Sequence, residues 1–171
     1  MKAGALVAVM AFAVVGDAAG ELRGPVRVTL DGVAGVRPGM SLASVSERWG
    51  IQLRPDYPSI PGCGEAEIRQ RMPIVGYVVF WPRRRFAGVF FRRGAQTGRD
   101  IRIGSTLSEL RRAYGSLRSQ PNRYVPGGRE FFVRRRAAPH WELRIDVGST
   151  GRVTQIVFGT HAAVQLDEGC S

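Results

Sequence analysis

The sequence carries one fifteen-residue pattern twice, 65 positions apart. The first copy, residues 36–50, reads VRPGMSLASVSERWG, and the second copy, residues 101–115, reads IRIGSTLSELRRAYG. Four positions are identical in the two copies, and four more keep the same chemical type. Because self-similarity at a fixed period marks repeated supersecondary units, we expect one domain built by duplication. Its two repeats would cover about residues 25–93 and 94–171.

Each copy predicts a short helix that begins after a hydroxyl residue and ends at a glycine. The Ser41 hydroxyl stands where it can accept a hydrogen bond from the first turn. Thr106 and Glu109 form the capping-box pattern, in which each side chain satisfies a free amide at the helix start. Gly50 ends the first helix, because glycine accepts the left-handed conformation that other residues avoid, and Gly115 ends the second helix.

The stretches around the two helices alternate apolar and polar residues, which is typical of half-buried strands. We expect one strand before the first helix, at residues 26–30. The strands expected after the helices lie at residues 77–81, 86–91, 130–133, 141–147 and 153–158. The predicted fold class is therefore α+β, a tandem repeat of a short helix followed by antiparallel strands, with the helices packed on an antiparallel sheet.

The start of the chain has the plan of a secretory signal peptide. Met1 and Lys2 form a basic beginning, residues 3–16 form an apolar run, and small residues follow. The run is shorter than the ~20 residues that a membrane-spanning helix needs. We therefore predict a signal peptide at residues 1–20, a single mature domain at residues 21–171, no transmembrane segment, and export to the periplasm or the medium. A buried N-terminal helix is the alternative.

Cys63 and Cys170 are the only cysteines. An even count in an exported chain favours one disulfide. That bond would close a loop of just over a hundred residues, which contributes about 4–5 kcal/mol on the chain-entropy model. Two free thiols are the alternative. A metal site is disfavoured because no histidine accompanies the two cysteines, and no cofactor is predicted.

The net charge of +11 comes almost entirely from arginine, since Lys2 is the only lysine. Such an excess favours acidic partners, namely nucleic acid, anionic lipid or polyanionic envelope polymers, and export disfavours nucleic acid. The arginines cluster at Arg83, Arg84 and Arg85, at Arg92 and Arg93, and from Arg134 to Arg136. These clusters predict either a polyanion site or ordinary solvated loops that protect sheet edges.

Strand alternation also predicts which side chains point away from the core. They are Phe132, Arg134, Arg136, Glu142, Arg144 and Asp146. If the outward faces adjoin, the sheet presents a polar surface with Phe132 as an apolar anchor, which suits a protein interface. A sheet face open to water is the alternative.

Evidence for catalysis is confined to two histidines, His140 and His161. Either one would need a nucleophile and an orienting carboxylate nearby to act as a base. The sequence has no nucleophile-elbow motif, no metal-ligand spacing and no phosphate-binding glycine loop. We therefore expect a protein that is not an enzyme, with a hydrolase using His140 or His161 as the alternative.

The combined motifs resemble a group of small exported bacterial proteins of unknown function. They are GxRxGMSLxxVxxxWG, the pair Gly62 and Cys63, the second pattern IRxGSTLxELRxxYG, and a terminal EGC. More distantly, the helix motif resembles the repeats of the beta-lactamase inhibitor protein and of SmpA-type lipoproteins. This resemblance implies helices on an antiparallel sheet whose concave face meets a partner. The chain departs from the inhibitor in lacking a disulfide within each repeat, and from the lipoproteins in lacking a lipid-anchoring cysteine.

Together these patterns predict an exported, monomeric, non-enzymatic binding module that recognises an envelope or secreted protein through its sheet face. Binding of an anionic envelope polymer or lipid through the arginine-rich loops is the second hypothesis.

Overall fold

The computed structural model describes residues 25–56, 61–68, 74–134, 141–166 and 169–170. The predicted signal peptide at residues 1–20 lies outside the described residues.

The described residues form ten strands and three helices. The strands are β1 (Val26–Thr29), β2 (Gly32–Val33), β3 (Gly64–Glu67), β4 (Val75–Phe80), β5 (Phe86–Arg93), β6 (Ala95–Thr97), β7 (Arg118–Pro121), β8 (Arg129–Arg134), β9 (Trp141–Val147) and β10 (Val153–Thr160). The helices are α1 (Leu42–Trp49), α2 (Leu107–Tyr114) and α3 (His161–Val164).

Seven of the strands form one antiparallel sheet in the order β3-β4-β5-β10-β9-β8-β7. The other three form a small sheet in the order β2-β1-β6, in which β1 and β6 run parallel. The predicted α+β class with a large antiparallel sheet is thereby confirmed. Strands β2, β3, β6 and β7 and helix α3 were not predicted, because they are short and lack clear alternation.

The centre of the large sheet is the pair β5 and β10, which joins the first part of the chain to the last. Phe90 pairs with Val157, and Gly88 pairs with Gly159. The two glycines allow an unusually close approach, since a Cβ built on Gly159 would lie 2.4 Å from the backbone oxygen of Ala87. Larger residues at this point would push the central strands apart.

Helices α1 and α2 and the small sheet cover the first face of the large sheet. Val45 and Trp49 from α1 and Leu110 from α2 are fully buried in the same apolar cluster as Phe91 and Phe158 of the central strands. The Trp49 indole also donates a hydrogen bond to the Val33 carbonyl at 3.2 Å, so its single polar atom is satisfied inside the core.

The loops that lead into α1 and α2 make matching hydrogen bonds. The Gly39 amide donates to the Phe86 carbonyl at 2.8 Å, and the Gly104 amide donates to the Val153 carbonyl at 2.8 Å. Both glycines have φ of 91°. Each loop therefore fastens its helix to the first residue of a central strand.

The predicted caps at the N-termini of the two helices are confirmed. The Ser41 hydroxyl accepts a hydrogen bond from the Ser44 amide at 3.1 Å. Thr106 and Glu109 form the full capping box, because the Thr106 hydroxyl accepts from the Glu109 amide and the Glu109 carboxylate accepts from the Thr106 amide. These bonds satisfy amides that have no partner within a helix.

We expect Thr106→Ala to lower the free energy of unfolding by about 1 kcal/mol, because the amide of Glu109 loses its acceptor. Urea denaturation at neutral pH measures this change. Ser108→Ala, at an exposed position in the same helical turn, is the matched control and should shift stability by less than about 0.5 kcal/mol. Equal effects of the two substitutions would contradict the capping role.

The Glu109 carboxylate gives this cap a pH dependence. Hydrogen bonds from the Thr106 amide and hydroxyl lower the pKa of Glu109 below its ordinary value of 4.5. A carboxylate with a lowered folded-state pKa stabilises the fold above its ordinary pKa and loses that effect as the pH falls through the lowered value. The stability difference between wild type and Glu109→Gln should therefore be largest near neutral pH and vanish in strong acid. A difference that stays constant across this titration would contradict the cap.

Candidate functional site

The second face of the large sheet is covered by the end of the chain. Helix α3 and the residues after it, here called the C-terminal segment (residues 161–166 and Cys170), pack on this face. Ala163 and Val164 are fully buried against an apolar cluster. The sheet residues in that cluster include Tyr77, Phe90 and Val157.

A buried arginine holds the C-terminal segment in place. Arg144 is 1% exposed, and its Nη1 donates to the Val164 carbonyl at 2.7 Å and to the Leu166 carbonyl at 3.4 Å. Its Nε lies 3.0 Å from a carboxylate oxygen of Asp146, and its guanidinium lies 5.8 Å from the centroid of the Phe90 ring. A buried charge is tolerated only when it is paired and hydrogen-bonded in this way.

A second charged group stands where the C-terminal segment begins. The carboxylate of Glu142 is buried and pairs with Arg134, and its Oε1 lies 2.9 Å from His161 Nδ1. Arg134 Nη2 also lies 2.9 Å from the same Nδ1. One nitrogen cannot accept from Arg134 and donate to Glu142 at once, so the tautomer of the His161 ring selects between the two hydrogen bonds.

The far end of the C-terminal segment is fixed by the predicted disulfide, which the structure confirms. Cys63 and Cys170 are bonded, with Cα atoms 5.6 Å apart. The Cys170 amide also donates to Glu65 Oε2 at 3.2 Å. Cys63 directly precedes β3, the strand at one edge of the large sheet, so the bond ties the end of the chain to that edge.

Aromatic side chains fill the space beneath the C-terminal segment. The rings of Tyr77 and Phe90 stack with their centroids 4.5 Å apart, and burial raises the pKa of the Tyr77 hydroxyl. Phe132 lies on the same face and is 4% exposed, with the Arg118 guanidinium 5.0 Å from its ring centroid.

The expected open sheet face is therefore corrected. Alternation placed the β9 side chains correctly, since Leu143 and Ile145 lie in the first-face core while Glu142 and Arg144 lie on the second face. Glu142, Arg144 and Phe132 are nevertheless buried, so they do not form a face that is open to water. The physical reason is that the C-terminal segment folds back over these side chains. In the sequence, the signals of this segment were Thr160, which caps α3, and Cys170, which forms the disulfide.

The predicted arginine loops lie at both ends of the large sheet. Because β4, β8 and β10 run in the same direction, all three finish at one end, called here the α3 end. Arg83, Arg84 and Arg85 follow β4 and Arg134 finishes β8, so both clusters stand at the α3 end. Arg92 and Arg93 finish β5 and therefore stand at the other end of the sheet. Arg136 and His140 lie outside the described residues.

Two arginines in the turn between β4 and β5 have positive φ angles. Arg83 and Arg84 have φ of 55° and 59°, in the left-handed region that favours Asn and Gly. In the β9–β10 turn, the positive φ is instead at Gly151, whose amide donates to the Gly148 carbonyl.

Acidic and basic side chains are sorted between the inside and the outside. Among the described residues, every arginine except Arg144 is exposed. Glu130, Glu142 and Asp146 are buried, and Gln120 Nε2 donates to Glu130 at 2.7 Å. The surface is therefore more positive than the composition alone suggests.

Within the part of the chain that the structure describes, no group of three or more His, Cys, Asp or Glu side chains is placed to hold a metal ion. The described helices include none that is long and apolar enough to cross a membrane.

No protein-family model matches the sequence, and no curated protein matches it. The chain is similar to the crystal structure of a cysteine-rich secretory protein from Staphylococcus aureus, with 15% identity and a TM-score of 0.50, over 72% of this chain and 44% of that one. It is also similar to an extracellular protein containing an SCP domain from Bacillus anthracis, with 10% identity and a TM-score of 0.47, over 74% of this chain and 45% of that one.

A DUF4309 family protein from Bacillus subtilis is similar with 10% identity and a TM-score of 0.43, over 70% of this chain and 78% of that one. The chain spans less than half the length of the staphylococcal protein, and at 15% identity that similarity concerns the α+β fold alone. These proteins are neither beta-lactamase inhibitor proteins nor SmpA-type lipoproteins, so that resemblance stays a prediction.

Replacing Arg144 tests whether it holds the C-terminal segment. We expect Arg144→Met to lower the free energy of unfolding by about 3–5 kcal/mol, because buried Asp146 loses a charged partner and two carbonyls lose a donor. Urea denaturation measures the loss. Arg129→Met, at an exposed position on β8, should cost far less, and equal losses would contradict the role of Arg144.

Removing the disulfide tests the second attachment. We expect Cys63→Ser/Cys170→Ser to lose about 4 kcal/mol of stability, because the unfolded chain is no longer constrained over 107 residues. Wild type measured in a strong thiol reductant should show the same loss. Equal stability of the oxidised wild type and the variant would show that the bond constrains nothing.

Proposed function

We propose that this protein is an exported, non-catalytic binding module that holds an anionic envelope component through its arginine-rich surface. The single observation that supports this is the sorting of charge: three acidic side chains are buried, while every described arginine except Arg144 is exposed. A surface of one dominant sign attracts polyanions over about a Debye length and raises their local concentration.

The Arg83–Arg85 turn carries this proposal most directly. Two of its arginines stand in the left-handed region, where a non-glycine residue costs roughly 1–2 kcal/mol. Such strain is found at functional sites, where the side chain is needed for its chemistry. We infer that arginine is present there for its charge, since Asn-Gly would form the same turn at lower cost.

Recognition of a protein through the sheet face is the other hypothesis that the sequence raised. The residues proposed for it, among them Phe132 and Arg144, are buried under the C-terminal segment and Arg118. That function would therefore require the C-terminal segment to leave the face. A hydrolase that used His161 would need a nucleophile for the ring to activate, and the contacts of His161 Nδ1 are with Glu142 and Arg134.

Export and duplication are also part of the proposal. The disulfide supports an oxidising compartment, and the basic and apolar start of the sequence supports a signal peptide. The matching loop bonds of Gly39 and Gly104 support descent of the two halves from one duplicated unit.

Binding to long-chain polyphosphate tests the proposed function. The mature chain should bind it at 50 mM salt, and the dissociation constant should rise tenfold or more on going to about 200 mM, because each arginine contact displaces counterions. Fluorescence anisotropy of labelled polyphosphate measures both. No binding at low salt, or binding that ignores salt, would overturn the proposal.

The contribution of the turn is tested by Arg83→Asn/Arg84→Gly, which supplies the preferred turn dipeptide while it removes two charges. We expect a roughly five- to tenfold weaker affinity for polyphosphate with unchanged or higher thermal stability. The matched control is Arg48→Gln/Arg111→Gln, which removes two exposed charges from α1 and α2. If both pairs weaken binding equally, the effect is one of net charge and the turn has no special part.

A further inference from the structure

We propose that the end of the large sheet opposite α3 docks on the surface of an anionic lipid bilayer, with Tyr124 and Val125 entering the interface. The inference rests on the proposed function and narrows its anionic partner to lipid. It starts from a different observation, which is the position of the exposed apolar side chains.

The exposed large apolar side chains of the described residues all stand at one end of the sheet. They are Val75, Tyr124 and Val125, which are 40%, 53% and 39% exposed. Val75 begins β4, and the other two lie in the turn between β7 and β8. Since β4 and β8 run in the same direction, the start of β4 and the turn before β8 share the end away from α3.

The turn that carries Tyr124 and Val125, called here the Tyr124 tip (residues 122–128), is held by its own hydrogen bonds. Asn122 Oδ1 accepts from the Tyr124 amide at 2.9 Å and from the Val125 amide at 2.8 Å. The Gly128 amide closes the turn by donating to the Val125 carbonyl at 2.8 Å. The tip therefore presents its two apolar side chains from an ordered backbone, and little ordering is needed on binding.

Arginines surround the exposed apolar side chains. Arg123 lies within the Tyr124 tip and Arg129 directly follows it, and both are exposed. Arg93 pairs with Val75 across β4 and β5. Arg152 is exposed in the neighbouring β9–β10 turn, where a Cβ built on Gly127 would lie 3.5 Å from that of Ser149.

The acidic side chains of β8 and β9 at this end of the sheet face inward, whereas Glu67, the last residue of the neighbouring strand β3, is exposed. Glu130 directly follows Arg129, and Asp146 is its pairing partner on β9. Both are buried. The exposed charge of β8 and β9 at this end of the sheet is therefore carried by arginine.

Tyrosine and arginine together are the side chains that suit a bilayer interface. Tyrosine has an apolar ring and a hydroxyl that stays hydrated, and arginine can lay its stem along apolar groups while its charge meets lipid phosphates. Four strand spacings separate β4 from β8, so Val75 and the Tyr124 tip stand roughly 19 Å apart with arginines between them. Such a dispersed set does not make the contiguous apolar core of a protein interface, whereas a flat lipid surface can meet all of it at once.

Vesicle sedimentation tests the inference. The mature chain should bind vesicles of phosphatidylglycerol and phosphatidylcholine at low salt, and should not bind vesicles of phosphatidylcholine alone. Tyr124→Ser/Val125→Ser should weaken vesicle binding about fivefold or more while leaving polyphosphate affinity and thermal unfolding unchanged. Tyr124→Trp should keep binding, and its emission should be quenched by lipids brominated in the acyl chains.

Each result decides something. Vesicle binding that survives Tyr124→Ser/Val125→Ser, or a tryptophan at 124 that brominated lipids do not quench, would overturn the inference. Binding to polyphosphate without binding to anionic vesicles would overturn the lipid assignment and leave the proposed function standing. If the wild-type chain binds neither polyphosphate nor anionic vesicles, both proposals are wrong.

Discussion

Arg144 places a positive charge inside the second face of the sheet and donates hydrogen bonds to two carbonyls of the C-terminal segment. Without that segment, an antiparallel sheet with helices on one face would leave Tyr77, Phe90 and Val157 in water. Arg144 fixes the segment beside β9, and the disulfide to Cys63 fixes its end at the β3 edge. The domain thereby has three layers, with α1 and α2, the sheet and the C-terminal segment stacked around two apolar clusters.

Covering the second face also sets the electrostatic character of the outside. A carboxylate on an open sheet face would offset nearby arginines, but Glu142 and Asp146 are buried and pair with Arg134 and Arg144. The remaining arginines are left to dominate the surface. The proposed binding of an anionic partner would therefore follow from the way in which the fold is closed. The two ends of the sheet differ, since among the described residues the exposed large apolar side chains stand at the end away from α3.

Local signals predicted the parts of the structure that depend on neighbouring residues. The caps at Ser41 and Thr106 and the alternation along β9 were predictable because a helix start and a pleated strand are determined within a few residues. Burial of the predicted face was not predictable in this way. It depends on four helical residues, His161–Val164, which are too few to show a period, and on where a distant cysteine carries them. The exposure of Tyr124 has a similar origin, since the sequence shows that a turn is present but not which of its side chains lack a covering layer.

Hydrogen–deuterium exchange of the oxidised wild-type chain tests the central claim, that the C-terminal segment closes the second face. The amides of Ala163, Leu166 and Cys170 are hydrogen-bonded to Thr160, Ala163 and Glu65 respectively. They should exchange far more slowly than in an unstructured peptide, and reduction of the disulfide should speed the exchange of Cys170 most. Exchange of all three at the rate of an unfolded chain in the oxidised protein would show that the face is open, and would contradict this account of its burial and of its surface charge.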